Sequence, residues 1–204
     1  MPRRRLPRRV AARPRRGTPD ATRERLVTAA AAVFNRVGYH GTDSNRLARA
    51  AGYAPGTFYK HFPDKRAVFL AAYERWVTAE WTAVGHLLEA GGPRDAVAAR
   101  IVDEVLAHHH RWRGLRKSLR ALVAQDATAR TFYRAQRRRQ LDILDGLHPP
   151  TAASDARERD AFLLYTLERV CDAIAEGEAQ TLRLSNGALR KLLEEFIAGS
   201  LPRS

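Results

Sequence analysis

The chain has a single cysteine, Cys171, among its 204 residues. That excludes an intramolecular disulfide framework and any site built from several thiolates. No run approaches the ~18 uninterrupted apolar residues of a membrane-spanning helix. Acids are scarce where the chain begins: residues 1–66 hold 4 Asp and Glu against 16 Arg and Lys, a net +12. Residues 67–204 hold 18 against 20, a net +2. Most of the +14 total therefore sits in the first third. Such an excess points to a polyanionic partner and leaves the fold open. Catalytic motifs are missing too. There is no G-x-S-x-G, no G-x-G-x-x-G and no P-loop, and no carboxylate pair stands apart from surface charge. No enzymatic activity and no cofactor are expected. His108-His109-His110 does not read as a metal site, because consecutive helical side chains point about 100° apart and do not converge on one ion.

What is present is ordinary globular material, 45% hydrophobic and 28% charged, in a length that suits one or two domains. Residues 1–17 stand apart. Eight arginines lie there, with no acid before Asp20, and Pro2, Pro7 and Pro14 interrupt any helix. The segment is predicted to be a disordered basic arm lying along DNA phosphate or in a minor groove. A solvated tail is the plainer alternative. A transit peptide fits badly, because the prolines break the amphipathic helix such peptides form.

Beyond the arm the apolar period is that of helices. Leu26, Ala30, Val33, Phe34 and Val37 share one face, with Thr18-Pro19 as cap and first residue and Gly38 as stop. Thr42 is predicted to cap a second helix, which ends at Gly52. Pro55 opens a short third, and Asp64 caps a long fourth reaching about Glu89. Further helices are expected near 94–110, 114–124, 127–147, 155–179 and 187–199, punctuated by Gly114, Asp126, His148-Pro149-Pro150 and Ser185-Asn186-Gly187. The first three, with a tight glycine turn, describe a helix-turn-helix. At about 100° per residue, Phe58 and Phe62 define the buried side of the third helix, and Gly56, Thr57 and Lys60 face away. Tyr59 and His61 sit at the shoulders. Thr57 and Tyr59 offer hydroxyls to phosphate, and Lys60 reaches a guanine edge or a phosphate. Lys65, at the start of the next helix, is placed to hold a phosphate. Arg46 and Arg49 read as solvated; the run Arg137-Arg138-Arg139 reads most simply as a solvated helix face, with a second acidic contact as the alternative.

The combination of Thr22 to Leu26, Phe34 to Gly38, Gly41-Thr42, Leu47-Ala48, Ala51-Gly52 and Gly56 to Phe62 with Lys65 resembles the DNA-binding domain of the tetracycline-repressor (TetR) family. The resemblance implies an all-α chain: a basic arm (1–17), a three-helix helix-turn-helix DNA-binding domain (18–66), and a helical ligand-binding and dimerisation bundle (67–204). It implies a homodimeric, ligand-responsive transcription repressor of the cytoplasm that binds double-stranded DNA at a palindromic operator, with no membrane partner. By position it implies DNA contacts from Ser44, Asn45, Pro55, Gly56, Thr57, Tyr59, Lys60, His61 and Lys65. One departure is Ala54, where the family often has a capping serine. Losing that hydroxyl costs the helix ~1 kcal/mol.

The second part matches the family only in layout. Residues 161–175 are apolar on most faces, and such a helix must be covered on several sides. With Leu189, Leu192, Leu193, Phe196 and Ile197 in the last helix, it suggests a four-helix interface between two chains. The residues expected there are Phe162, Leu163, Val170, Leu189, Leu193 and Phe196, with burial inside one subunit as the alternative. Trp76, Trp81, Trp112, Phe132, Tyr133 and Tyr165 are candidates to line a small-molecule cavity, although aromatics at helical spacing also serve as plain core. Cys171 reads as a small hydrophobe. The rival functions are a non-specific architectural DNA-binding protein and a small helical enzyme.

Overall fold

The computed structural model describes residues 18–146 and 155–201. The arm expected at 1–17 and the break at His148-Pro149-Pro150 lie outside them. Nine helices and no strand occur among the described residues, so the chain is all-α. They form two compact units, one running to Ala72 and the other starting at Tyr73.

In the first unit, α1 (Pro19–Val37) begins where the Thr18 hydroxyl accepts the Ala21 N–H at 3.2 Å. α2 (Ser44–Ala50) is capped by Asp43 rather than by Thr42. The Asp43 carboxylate accepts the Arg46 N–H at 2.9 Å. A carboxylate outcompetes a hydroxyl at the positive end of a helix, and Thr42 is buried instead. Gly52, at φ +82°, makes the turn into α3 (Pro55–Tyr59). Ala54 supplies no side-chain cap there. Gly41 is required by close approach: a Cβ at this position would lie 2.2 Å from the Val37 carbonyl oxygen. α4 (Lys65–Ala90) starts beneath Asp64, whose carboxylate accepts the Ala67 N–H at 2.7 Å, and continues into the second unit. Leu26, Phe34, Leu47, Phe58, Phe62 and Phe69 form this unit's core. The Phe34 and Phe69 rings meet edge to face at 5.0 Å.

The second unit is built around α5 (Arg94–Gln125), which packs on α6 (Ala127–Asp145), α7 (Ala156–Ala175) and α9 (Asn186–Ser200). The sequence predicts two helices here, 94–110 and 114–124, and α5 is interrupted between them by a kink at Trp112 (φ −115°, ψ 21°). The helix expected at 155–179 ends at Ala175, and Gly177 at φ +80° separates the short α8 (Glu178–Thr181). Val97, Ile101, Val105, Cys171, Leu193 and Ile197 make the core. Among the described residues, no helix is long and apolar enough to cross a membrane.

Candidate nucleic-acid interface and internal cavity

The third helix is anchored from behind. Phe58 is 0% exposed and Phe62 3%, and their rings stand 5.9 Å apart. Gly56, Tyr59 and Lys60 are exposed, with Pro55, Thr57 and His61 half-buried. Tyr59 keeps 54% of its surface open although its ring edges against Phe58. A Cβ added at Gly56 would meet nothing within 4 Å. The unit itself therefore does not need glycine there. Asn45 is exposed and Ser44 half-buried at the start of α2.

Lys65, expected to hold a phosphate, also makes contacts within its own unit. Its ammonium donates to the carbonyls of Tyr39 at 2.9 Å and Thr42 at 3.0 Å and lies 4.2 Å from the centre of the Tyr39 ring. Burial lowers its pKa, with Asp43 acting the other way. Two of its three N–H donors thus tie α4 to the chain between α1 and α2.

The second unit contains a cavity and a buried ion network. The cavity is about 100 Å³, and Trp81, Val84, Ile101, Val105 and Leu163 are among its apolar walls. Its ionisable lining is Glu80, Asp160 and Glu168. Beside it, Arg116 donates to both oxygens of Asp172 at 2.7 and 3.2 Å and reaches Glu168 at 3.4 Å. Arg120 bonds Asp172 at 2.5 Å, and Arg137 bonds Glu168 at 2.7 Å and the Tyr133 hydroxyl at 2.9 Å. His109, 0% exposed, has Nδ1 2.9 Å from Asp172 and Nε2 3.6 Å from Glu80. Burial opposes every charge here. For Glu168 the guanidinium groups of Arg116 and Arg137 outweigh it, and its pKa is lowered. For Asp172, His109 and Arg116 do the same. For Glu80 burial prevails and lifts the pKa to about 8. Burial lowers that of His109.

The sequence-predicted residues divide accordingly. Of the six aromatics, Trp81 lines the cavity and Tyr133 a second, polar pocket with Arg116 and Arg137. Trp76 is core at 4% exposure, packed edge-on with Tyr73, which also meets Phe132. Trp112 is half-buried at the kink, and Tyr165 is 53% exposed. Of the six residues expected at a dimer interface, Phe162 is 63% exposed and contacts Phe196. Leu189 is half-buried, Leu163 and Val170 flank the unit's own core, and Leu193 lies inside it. Arg137, read most simply as solvated, is half-buried and bonded to Glu168 and Tyr133. Sequence reasoning also missed Glu80, Arg116, Glu168 and Asp172. One signal was available: Asp160, Leu164, Glu168 and Asp172 recur every four residues, so the acids share the face of a core leucine.

Residues 26–72 match the family of bacterial regulatory proteins, tetR family. No curated protein matches the chain. Among solved structures, a TetR-like transcriptional regulator of Rhodococcus sp. RHA1 is 21% identical, with a TM-score of 0.62 over 95% of this chain and 96% of that one. The fatty acid degradation regulator FadR of Bacillus halodurans is 18% identical, with a TM-score of 0.64 over 94% and 100%. A transcriptional regulator of Saccharomonospora viridis, solved in complex with choline, is 19% identical, with a TM-score of 0.67 over 87% and 96%.

Proposed function

Because residues 26–72 are a tetR-family domain on a chain with the fold of TetR-family transcriptional regulators, we propose that it acts as a homodimeric repressor released from a palindromic operator by a small organic effector. The observation that carries this reading is α3, with two phenylalanines beneath it and Gly56, Tyr59 and Lys60 open to a groove. Ser44, Asn45, Pro55, Thr57 and His61 complete the proposed DNA surface. Two such helices must sit one DNA turn apart, ~34–36 Å, to enter successive major grooves. An effector that favours another spacing weakens DNA binding by its own coupling factor.

Two further features support the details. Phe162, Tyr165 and Leu192 leave 63%, 53% and 62% of their surfaces exposed on α7 and α9, which suits burial against a second copy. The cavity in the second unit suits a small molecule, as does the likeness to a structure that holds choline. Footprinting and sedimentation test the reading together. A discrete palindromic footprint and a dimer mass are expected. Uniform protection along random DNA would instead favour the architectural alternative, to which the basic first third lends weight.

A further inference from the structure

The cavity walled by α4, α5, α7 and α9 combines an apolar interior with ionisable groups of one sign. Among the described residues, Glu80, Asp160 and Glu168 line it, and no Lys, Arg or His does. The neighbouring cations are already committed. Arg116 is bound to Asp172 and Glu168, Arg137 to Glu168, and Arg120 to Asp172 and Glu176. Glu80 is 5% exposed, and its Oε1 has no hydrogen-bond partner. The nearest basic atom, His109 Nε2 at 3.6 Å, is likewise without a hydrogen-bond partner. A buried polar atom left unpaired is costly and rare.

We propose that this cavity binds a small aliphatic amine, with the charged nitrogen donating to Glu80 and the hydrocarbon body lying among Trp81, Val84, Ile101, Val105 and Leu163. The inference rests on the effector reading above and names the chemical class of the effector. Its size follows from the volume: about 100 Å³ is on the scale of the roughly 150 Å³ cavity that takes a benzene. An anionic ligand is disfavoured, because its head would meet three carboxyl groups, with no free cation among the described residues of the cavity wall.

Protonation follows the same logic. The groups facing Glu80 are His109 and Arg116 from α5, Arg137 from α6, and Glu168 and Asp172 from α7. Burial raises its pKa to about 8, so below that pH the empty site holds a carboxylic acid. When an alkylammonium ion enters, the Glu80 O–H bond breaks and its proton leaves to solvent. The resulting carboxylate accepts the ammonium N–H. Amine affinity therefore rises with pH toward about 8 and then levels off.

The test uses calorimetry on the full chain with n-pentylamine, 1-pentanol and pentanoate. The amine is expected to bind at least about tenfold more tightly than the alcohol, with pentanoate weakest. At pH 7, titrations in buffers of different ionisation enthalpy should show release of close to one proton per amine bound. Glu80→Gln should lower amine affinity about tenfold or more and leave the alcohol's unchanged. Its thermal midpoint, equal to or above that of the parent, establishes that it is folded. Equal binding of amine and alcohol, pentanoate as the tightest ligand, or an undiminished amine affinity in Glu80→Gln would overturn the inference. Operator affinity, measured separately with and without pentylamine, distinguishes the two readings. Amine binding that leaves DNA affinity unchanged sustains this site and counts against release. An operator-binding chain that ignores the amine does the opposite.

Discussion

Single residues separate the demands of the fold from those of recognition. Gly56 has open space around a notional Cβ, and alanine is the better helix former by up to about 1 kcal/mol. Gly56→Ala should therefore melt at the same temperature or slightly higher. On DNA the added methyl meets the groove wall, and affinity for the operator should fall by roughly 1 kcal/mol or more. Melting curves and fluorescence anisotropy on one preparation check both halves. Unaltered DNA affinity would show that α3 does not approach DNA through this position. Glu80 tests the opposite demand. Its folded pKa, about 8, lies above the ordinary 4.5, so between those values the folded state keeps a proton that the unfolded chain releases. Its contribution is whole below about pH 4.5, declines as pH rises, and is fully lost above about pH 8. Glu80→Gln removes that decline. The variant should match the parent near pH 4 and exceed it by a few kcal/mol above pH 8, on the order set by 1.36 kcal/mol per pKa unit. Denaturant titrations at the two pH values give the comparison.

At the scale of elements, two lysines at the helix-turn-helix carry different burdens. Lys60 is exposed at the end of α3, and Lys65 binds two carbonyls at the start of α4. Lys65→Met keeps the aliphatic stem and strands both carbonyls. It should destabilise the protein by about 2 kcal/mol, seen as an earlier denaturant midpoint. Lys60→Ala should leave that midpoint alone and reduce the salt slope of DNA binding by about one. A lower salt slope in Lys65→Met would add the phosphate contact read from the sequence to this structural role. The structural role itself was not legible in the sequence, for a physical reason. Helical period and caps are local, so α1, α3 and the buried faces of Phe34, Phe58 and Phe62 were legible from spacing alone. The partners of Lys65 lie 26 and 23 residues away, and Arg116 meets Asp172 across 56. No local pattern marks such pairs. The same holds for Arg137, which looks solvated in a triple-arginine run until α7 brings Glu168 to it.

For the molecule as a whole, the uneven charge poses the final question. Residues 1–66 carry a net +12 and the remainder +2, so DNA binding should depend steeply on salt. Each phosphate neutralised releases counterions and adds about 0.9 to the slope of log affinity against log salt. Eight of the arginines precede residue 17 and belong to neither α2 nor α3. A chain beginning at residue 18 keeps that surface and loses those charges. If the leader lies along phosphates, truncation should flatten the slope by several units and weaken binding most at low salt. The position and symmetry of the footprint should stay the same, because base-edge contacts set register and phosphate contacts do not specify sequence. If the chain were an architectural protein driven by its leader, truncation would abolish binding and leave no footprint. Identical slopes for the two chains would remove the leader from the interface and place the whole electrostatic contribution on the helix-turn-helix. Anisotropy titrations on an operator and on a scrambled duplex, each at several salt concentrations, distinguish all three, since the leader's share of the affinity is common to both duplexes and that of α3 is confined to the operator.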